Sequence, residues 1–470
     1  MIVKHPREYV IDRLNYALNP KTIAVVGASR YSSKVGCKVI DGLQTWGYQG
    51  KIYPVNPRSE RVGGLQAYPT VKDIPDEVDL AFLAVPAHIV KAVLEDCVAK
   101  KVKIVVIATS AFKEIGRGKL QDELTQYCRD HKLPLIGPNL VGMGSPYLHF
   151  NCGFIPYLPI EGPVAMISQS GANLLAALGT SQKDHYGMSF FVGLGNKADV
   201  DFSEFIAYAG RDEHTRCLAI YIEGLDSPDA FIEACRKVDK PIVTIKVGGS
   251  KIGVKAAFAH TASENEGTTD AMYDEIFEKA GAIRAGTWQE FLDVSMALGM
   301  QPAPKGDHIV MITNGGGSGL LSCDHFERRG MPMHELAEIS PKLPDRIRAY
   351  MPMFGSPLNP VDISGTASPV QYKGAFTQVM RDPNVHGILG SICPTAVTDV
   401  PAVTDLVIDI YDTYKHLGKP FIMECQGGEE CQEAIMKLRD HGIPAYPTAE
   451  QAVNAMVALY RYGQKKKNGK

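Results

Sequence analysis

One recurring feature governs what this chain can fold into: a short apolar β-strand that ends in a loop of small residues and leads into a helix. The first example is KTIAVVG at 21–27, and VDLAFLAV (78–85) and KIVVIAT (103–109) follow at regular intervals. Apolar, β-branched runs separated by helical segments are typical of parallel strands joined by crossover helices. The pattern predicts a doubly wound parallel sheet, in which ligands bind at the carboxyl ends of the strands.

The length and composition limit the possible classes of protein. A chain of 470 residues predicts two to four domains, and its formal charge of -3 gives no reason to expect nucleic acid or an acidic membrane surface as a partner. No apolar run approaches the ~20 residues of a membrane span, and charges interrupt the apolar runs at the start, so we expect neither a membrane span nor a signal peptide. The ten cysteines are scattered singly, without metal-like spacing. We therefore expect a cytoplasmic protein with free thiols and no metal site.

The first predicted domain spans 1–150. Its loop GASRYSSK after the first strand leads into a helix, and backbone N–H groups at such a helix start bind phosphate. The loop is not a GxGxxG fingerprint, because Ser29 stands where the second glycine belongs. The next strand, KIYPVNP, ends in Asn56 and Pro57, where an NAD-binding domain usually offers an acid to the ribose. A generic dinucleotide-binding domain is the alternative interpretation of this segment.

The second predicted domain spans 151–303 and repeats the feature with GPVAMIS followed by QSGANLLAALG. A serine at such a turn is a strong helix N-cap, and the same hydroxyls and N–H groups can also hold an anion. Neither interpretation excludes the other. Further along, GLGNKADVD places Asn196, Asp199 and Asp201 together, and we expect Asp201 to cap the following helix rather than bind a metal. Glu223 ends the strand CLAIYIEG as either a cap or a functional acid.

The segment GGSKIGVKAAFAHTASENEG (248–267) follows the strand KPIVTIKV and is rich in glycine and small residues, which predicts a loop. His260 lies near its centre. Histidine is a good nucleophile that is largely neutral near pH 7, so a loop histidine after a strand is a candidate for covalent catalysis. The alternative is a loop histidine that only hydrogen-bonds nearby groups.

The third predicted domain, 304–470, begins within the proline-bearing linker QPAPKG (301–306). Its strand HIVMIT leads into NGGGSG and a helix, so Gly316, Gly317 and Ser318 form a second helix start suited to phosphate. The alternative is a tight turn without a ligand. Asp362, in NPVD, is expected to cap or orient its loop.

Five loops of the first domain carry a resemblance to a known family. VVGAS, YPVNP, LAVPA, IATSAF and IGPNLVG occur in the order found in the CoA-binding domain of the nucleoside-diphosphate-forming acyl-CoA synthetases, the superfamily of succinyl-CoA synthetase. The resemblance implies that these loops hold CoA and that Asn139, in GPN, lies near the acyl end. The residues that would bind CoA are Gly27, Ser29, Arg30, Lys34, Val55, Asn56, Pro57, Val85, Pro86, Ala108 and Ser110.

The second domain resembles the same family through SQSGA, GNKADVD, YIEG, KVGGS and AHTAS. The resemblance implies that His260 becomes phosphorylated, that Glu223 is its partner, and that Ser168, Gln169, Ser170 and Gly171 hold the phosphate. The common family form around the histidine is S-H-T-G, whereas this chain has Ala259 and Ala262, so the local geometry of the loop can differ. The third domain resembles the family's ligase-CoA domain.

The resemblance implies an α/β fold of three consecutive doubly wound domains: a Rossmann-like CoA-binding domain, then two flavodoxin-like domains of the succinyl-CoA-synthetase type. It implies an ADP-forming acyl-CoA synthetase α subunit acting through an acyl phosphate and a phosphohistidine on CoA, a small carboxylic acid and phosphate. No nucleotide-binding module is evident in the sequence, so ADP or ATP with Mg2+ would bind an ATP-grasp β subunit in an α2β2 assembly. The competing hypotheses are an NAD(P)-dependent oxidoreductase and a non-catalytic CoA-binding protein.

Overall fold

The computed structural model describes residues 7–250, 252–256 and 269–468. His260 therefore lies outside the described residues, as do its neighbours from 257 to 268. The chain divides into two compact units, Met1–Gly286 and Thr287–Lys470. The first unit holds the first predicted domain and the second as far as Gly286, and their separation near residue 150 remains a prediction.

The first sheet of unit 1 has five parallel strands in the order β2-β1-β5-β6-β7. Its central strands are buried on both faces, which explains their continuous apolar sequences. The chain moves outward from β1 in both directions, as the doubly wound pattern predicts. The strands are β1 Thr22–Val26, β2 Lys51–Val55, β5 Leu80–Leu83, β6 Ile104–Ile107 and β7 Leu135–Ile136, with a small hairpin of β3 Arg61–Val62 and β4 Leu65–Gln66 beside them. The helices are α1 Glu8–Leu18, α2 Val35–Thr45, α3 Val90–Lys100 and α4 Gly118–Asp130.

The second sheet of unit 1 has seven strands in the order β14-β13-β12-β10-β11-β8-β9. Five are parallel, and the antiparallel hairpin β8–β9 pairs with the edge of β11. This hairpin begins before residue 150, so the chain enters the second sheet earlier than the predicted domain boundary. The strands are β8 Gly142–Ser145, β9 Phe150–Gly153, β10 Glu161–Ser168, β11 Met188–Gly193, β12 Cys217–Ile222, β13 Ile242–Lys246 and β14 Ile283–Arg284. The helices are α5 Gly171–Asp184, α6 Phe202–Arg211, α7 Pro228–Arg236, α8 at 252–256 and α9 Asp270–Ala280.

Unit 2 contains a parallel sheet of five strands in the order β16-β15-β17-β18-β19. Helix α10 lies within the predicted bounds of the second domain, but it belongs to this unit. The strands are β15 Ile309–Thr313, β16 Val361–Asp362, β17 Gly387–Ile392, β18 Phe421–Cys425 and β19 Ala445–Tyr446. The helices are α10 Trp288–Met300, α11 Gly316–Arg328, α12 Leu336–Ile339, α13 Leu343–Arg348, α14 Pro369–Arg381, α15 Val400–Tyr414, α16 Glu429–Asp440 and α17 Ala449–Asn468.

The register of the parallel strands brings their carboxyl ends to one edge of each sheet. In the first sheet Val26 pairs with both Val55 and Leu83, and in the second sheet Ser168 pairs with Tyr221. The loops that follow these residues are therefore neighbours in space, although they are far apart in sequence. All ten cysteines are free thiols, and no helix in the described part of the chain has the length and apolar character to cross a membrane.

Candidate functional site

A cleft of about 1200 Å³ lies at the carboxyl ends of the strands in unit 1. Loops that follow β1, β2, β5 and β6 form one wall, and the start of α5 belongs to the other. The structure therefore brings together residues that we had singled out in separate motifs. The predicted residues that line the cleft are Gly27, Ser29, Lys34, Val55, Asn56, Pro57, Val85, Pro86, Ala108, Ser110, Asn139, Gln169 and Gly171.

Four of the predicted residues in the described part of unit 1 do not line this cleft: Arg30, Ser168, Ser170 and Glu223. Arg30 is exposed and lies outside its lining. Ser168 ends β10 and Ser170 is the N-cap of α5, and both are buried, with 0% and 4% of their surface exposed.

Close backbone contacts explain the small residues after β1. Gly27 has φ +88°, and a Cβ atom there would lie 2.4 Å from the carbonyl oxygen of Ala84. A Cβ atom on Gly36, in the first turn of α2, would lie 2.2 Å from the carbonyl oxygen of Gly27. These two glycines let α2 begin directly against the end of β1. Its N-cap residue, Lys34, makes no side-chain hydrogen bond to the helix, so the first N–H groups are not capped by that side chain.

Asn56 occupies the position where a dinucleotide-binding domain would offer an acid. Its Nδ2 donates to the carbonyl oxygen of Ala28 at 2.6 Å, and its Oδ1 accepts from the backbone N–H of Arg58 at 2.8 Å. The amide thus joins the loops after β1 and β2. Thr109 Oγ1 joins the next pair in the same way, by donating to the carbonyl oxygen of Val85 at 2.6 Å.

Asn139 is held at the base of the cleft by a network that the sequence analysis missed. Its backbone has φ +62°, its N–H donates to the Thr109 carbonyl at 3.0 Å, and its Nδ2 donates to Asn196 Oδ1 at 3.2 Å. Asn196 Nδ2 donates in turn to Glu114 Oε2 at 2.7 Å. Burial by itself would raise the pKa of Glu114, but hydrogen bonds from Asn196 and from backbone N–H groups hold it below its ordinary value. The only signal in the sequence was the polar character of GNKADVD.

Ser170 caps α5, as one interpretation of this motif predicted. Its Oγ accepts from the backbone N–H of Asn173 at 3.3 Å, and the buried Ser168 hydroxyl donates to the Ser170 carbonyl at 2.8 Å. Gly171 stands where a Cβ atom would lie 2.5 Å from Val141 Cγ1. The helix start is therefore packed tightly into the wall of the cleft.

Glu223 lies directly after β12 and has 5% of its surface exposed. Its backbone N–H and that of Gly224 both donate to Gln169 Oε1, at 2.9 and 3.1 Å. Gln169 thus joins the loop that carries Glu223 to the start of α5. Burial, with a smaller contribution from the Glu223 charge, raises the pKa of the neighbouring Tyr221 to about 12. The structure brings Glu223, Gln169 and Ser170 into one cluster, whereas His260 lies outside the described residues.

Asp199 and Asp201, which we considered as metal ligands, both accept hydrogen bonds from groups of the protein. Asp201 caps α6 by accepting from the Phe202 N–H at 2.7 Å within a capping box, as predicted. Asp199 Oδ1 accepts from Arg7 Nη1 at 2.7 Å and from Arg129 Nε at 2.8 Å, and its Oδ2 accepts from the Leu135 N–H at 3.2 Å. Both oxygens of Asp199 are thereby engaged.

The glycine motif of unit 2 forms the start of α11, with Gly315 as N-cap. A Cβ atom on Gly316 would lie 2.7 Å from Asp362 Oδ2, whereas one on Gly317 would meet nothing within 4 Å. Ser318 Oγ donates to Glu424 Oε2 at 2.6 Å. Asp362 orients its own loop by accepting from the Ser364 N–H at 2.8 Å, as expected.

Glu424, like Glu223, is a buried acid near the end of a strand, but the sequence analysis did not identify it. It is the penultimate residue of β18, which is similar to the position of Glu223 directly after β12, and none of its surface is exposed. Burial raises its pKa above the ordinary value, although hydrogen bonds from Ser318 and its neighbours oppose the shift. Its signal was an acid inside the apolar run FIMEC.

Three family models match consecutive parts of the chain. They are a CoA binding domain at 21–145, a succinyl-CoA ligase-like flavodoxin domain at 161–298 and a ligase-CoA domain at 309–468. Their order is the one that the motif resemblance implies, and the α/β fold class is confirmed.

Relatives match over almost the whole length. The alpha subunit of acetate–CoA ligase [ADP-forming] I from Pyrococcus furiosus is 39% identical over 461 residues, which cover 96% of this chain and 98% of the relative. Acetate–CoA ligase [ADP-forming] from Methanocaldococcus jannaschii is 35% identical over 459 residues, or 97% of this chain but 64% of that protein.

A solved structure is similar throughout. It is the dinucleotide-forming acetyl-coenzyme A synthetase 1 of Ca. Korarchaeum cryptofilum in complex with phosphate and ADP, with 36% identity, a TM-score of 0.91 and 97% of both chains covered. The resemblance inferred from the motifs is thereby confirmed, and the chain belongs to the family of the ADP-forming acetate–CoA ligase alpha subunits, in the succinyl-CoA synthetase superfamily.

Proposed function

We propose that this chain is the α subunit of an ADP-forming acyl-CoA synthetase of the acetyl-CoA type, an acid–thiol ligase. It interconverts acyl-CoA, ADP and phosphate with a carboxylic acid, CoA and ATP. The observation that carries the proposal is the cleft in unit 1, which extends from the loops after the first sheet to the start of α5, in a chain whose relatives of this name match over almost their full length.

CoA binds along the first wall of the cleft. The uncapped start of α2 offers backbone N–H groups to the phosphates of CoA, and Gly27 and Gly36 leave room for a ligand to approach the backbone. Lys34, Asn56 and Ser110 line the same wall and supply polar contacts. The thiol end then points towards Asn139 and Gln169, which lie where the two walls meet.

His260 carries the phosphoryl group. An imidazole nitrogen attacks the γ-phosphorus of ATP, the bond to the bridging oxygen breaks, and ADP leaves. A substrate carboxylate then takes the phosphoryl group from His260 to give an acyl phosphate and the free imidazole. The CoA thiolate attacks the acyl carbon, phosphate leaves, and the thioester forms. Glu223 orients the imidazole, and the start of α5 stabilises the phosphate through its N–H groups and dipole.

The ATP or ADP with Mg2+ binds to a separate ATP-grasp β subunit, and the two chains form an α2β2 assembly. Support comes from length, because the single-chain relative from Methanocaldococcus jannaschii has about a third of its sequence beyond the part that matches this chain. The names of the Pyrococcus furiosus relatives identify them as alpha subunits, which implies a partner subunit. A cytoplasmic location is part of the same proposal.

The competing hypotheses have less support. An oxidoreductase that uses NAD in the usual way needs an acid for the ribose, and the residue at that position is Asn56. A non-catalytic CoA-binding protein gives no reason for a buried Glu223 beside the start of α5.

The decisive experiment is phosphoryl labelling with γ-labelled ATP and the co-purified partner. We expect an acid-labile, base-stable label on wild type, none on His260→Ala, and an unchanged label on the control His416→Gln, which alters an exposed histidine. A label that survives His260→Ala would refute the assignment.

Glu223→Gln separates catalysis from CoA binding. We expect it to reduce phosphoenzyme formation while calorimetric titration with CoA stays unchanged. Loss of CoA binding in this variant would mean that Glu223 only holds the fold.

A further inference from the structure

A cluster of metal-ligating side chains lies in unit 2, away from the glycine motif. Asp307 and His308 immediately precede β15, whereas the start of α11 follows it, so the cluster and the motif lie at opposite ends of the same strand. One ligand atom from each of Asp307, His308 and His334 lies within 4.8 Å of the others. The sequence analysis did not predict it, because His334 is separated from the other two by a strand and a helix.

Hydrogen bonding prepares His308 to act as a ligand. Its Nδ1 lies 3.0 Å from the carbonyl oxygen of Asn384, and since a carbonyl only accepts, Nδ1 carries the proton. The lone pair of Nε2 is then available. A backbone carbonyl that fixes the tautomer of a histidine in this way is the usual outer contact of a metal-bound imidazole.

His334 is held beside the strand by its backbone. Asn359 Nδ2 donates both to the His334 carbonyl at 2.9 Å and to the Ile309 carbonyl at 2.8 Å, which fastens the segment before α12 to β15. The His334 ring then faces Asp307, with Nε2 3.2 Å from Oδ2. Atoms at this separation can share one metal ion with little movement, since Zn–N and Zn–O bonds are about 2.0–2.2 Å long.

A third histidine restrains the cluster without joining it. His386 stacks on His308 with ring centroids 4.7 Å apart and an interplanar angle of 10°, and its Nδ1 accepts from the His308 N–H at 3.3 Å. Parallel stacked rings do not direct their nitrogens to a common point. A Cβ atom on Gly306 would lie 2.6 Å from His386 Nδ1, so the stack also depends on this glycine.

We propose that Asp307, His308 and His334 bind one divalent transition metal ion of the zinc type, with water in the remaining position. Two imidazoles and one carboxylate suit such ions, whereas Mg2+ and Ca2+ prefer oxygen ligands alone. The site is accessible, because the side chains of His334 and Asp307 are 36% and 44% exposed. The bound ion ties the segment before α12 to the first strand of unit 2 and so stabilises that unit. This inference does not rest on the proposed function.

The test is calorimetric titration of the full chain with Zn2+, with Co2+ absorption spectra as a second readout. We expect saturable 1:1 binding to wild type and a Zn2+-dependent rise in melting temperature. His334→Gln should weaken binding by more than the roughly 10–100-fold that loss of an outer contact costs, and should abolish the rise in melting temperature. Asp307→Asn provides a second variant, and the circular dichroism of each variant is compared with wild type in the absence of metal.

His416→Gln, an exposed histidine of the same unit, is the control and should bind Zn2+ as wild type does. Three results would overturn the site: no saturable binding to wild type, equal binding by His334→Gln, or a Co2+ spectrum with a thiolate charge-transfer band. The last would assign binding to the free cysteines, three of which are partly exposed.

Discussion

Gly27 shows at the scale of one residue how backbone shape makes the cleft. Its positive φ and the 2.4 Å approach of a hypothetical Cβ to the Ala84 carbonyl are separate requirements for glycine. Gly47 has a similar φ of +81° but nothing within 4 Å of its hypothetical Cβ. Substitution of Gly47 would therefore test conformational strain alone, whereas substitution of Gly27 would add steric overlap to that strain.

We expect Gly27→Ala to lower the free energy of unfolding by about 3 kcal/mol or more, and Gly47→Ala by about 1 kcal/mol. Urea unfolding of both variants measures the difference. Gly27→Ala should also weaken CoA binding in calorimetric titration, because the Ala84 and Gly27 backbones must separate. Equal unfolding effects for the two variants would contradict the close approach.

Lys246 supplies a prediction on pH. Burial lowers its pKa from 10.5 to about 8, and its ammonium lies 4.5 Å from the centroid of the Tyr273 ring. The unfolded chain therefore binds more protons than the folded chain between these two pH values. The charged form of Lys246 therefore lowers the free energy of unfolding at low pH, and this destabilisation is lost as the pH rises and the lysine is deprotonated.

We expect the free energy of unfolding of wild type, measured relative to Lys246→Met, to rise between pH 8 and pH 10.5. Denaturant unfolding of both proteins across this range gives the difference directly. A difference that stays constant with pH would show that the folded protein does not disfavour the charged lysine.

At the scale of the element, the start of α5 combines two roles in the same few residues. Ser170 caps the helix, and the proposed function gives the first N–H groups a phosphate. Substitutions that treat the cap and the anion differently can separate these roles.

Ser170→Ala should cost about 1 kcal/mol of stability through loss of the cap. Ser170→Asp should retain the cap and the favourable interaction with the helix dipole, while its charge repels phosphate. We therefore expect near-wild-type melting of Ser170→Asp but reduced phosphoenzyme labelling. Full labelling of the Asp variant would place the phosphate elsewhere.

Elements of this kind could largely be predicted from the sequence. The strands before Gly27 and Ser168 have continuous apolar runs, and Asp201 has the spacing of a capping box, so local patterns sufficed. The antiparallel hairpin β8–β9 was missed, because Gly142 and Gly144 give its first strand little strand character and its pairing with β11 is a long-range contact.

At the scale of the whole molecule, the family could be inferred because its motifs recur in order along the chain. The network from Asn139 through Asn196 to Glu114 could not, since nothing local indicates which polar side chains meet across two sheets. His334 was missed as a neighbour of Asp307 for a similar reason, because a strand and a helix separate the two residues in the sequence.

The proposed placement of the CoA site on this chain and of the nucleotide site on the partner gives a prediction for the whole molecule. We expect the isolated chain to bind CoA in calorimetric titration but to acquire no label from γ-labelled ATP, because the proposed nucleotide site lies on the partner. Adding the partner should restore labelling. Labelling of the isolated chain at the same rate would show that it binds ATP by itself.

The buried Asp199 has a consequence for how ligands reach the cleft. Asp199 follows β11 of the second sheet and forms ion pairs with Arg7 and Arg129, which lie on the side of the first sheet. The Asp199 side chain is 1% exposed. Separation of the two sheets would leave the Asp199 carboxylate without both arginines, and the loss of these ion pairs costs several kcal/mol. Opening of unit 1 between its two sheets is therefore disfavoured as a route for substrate to enter the cleft.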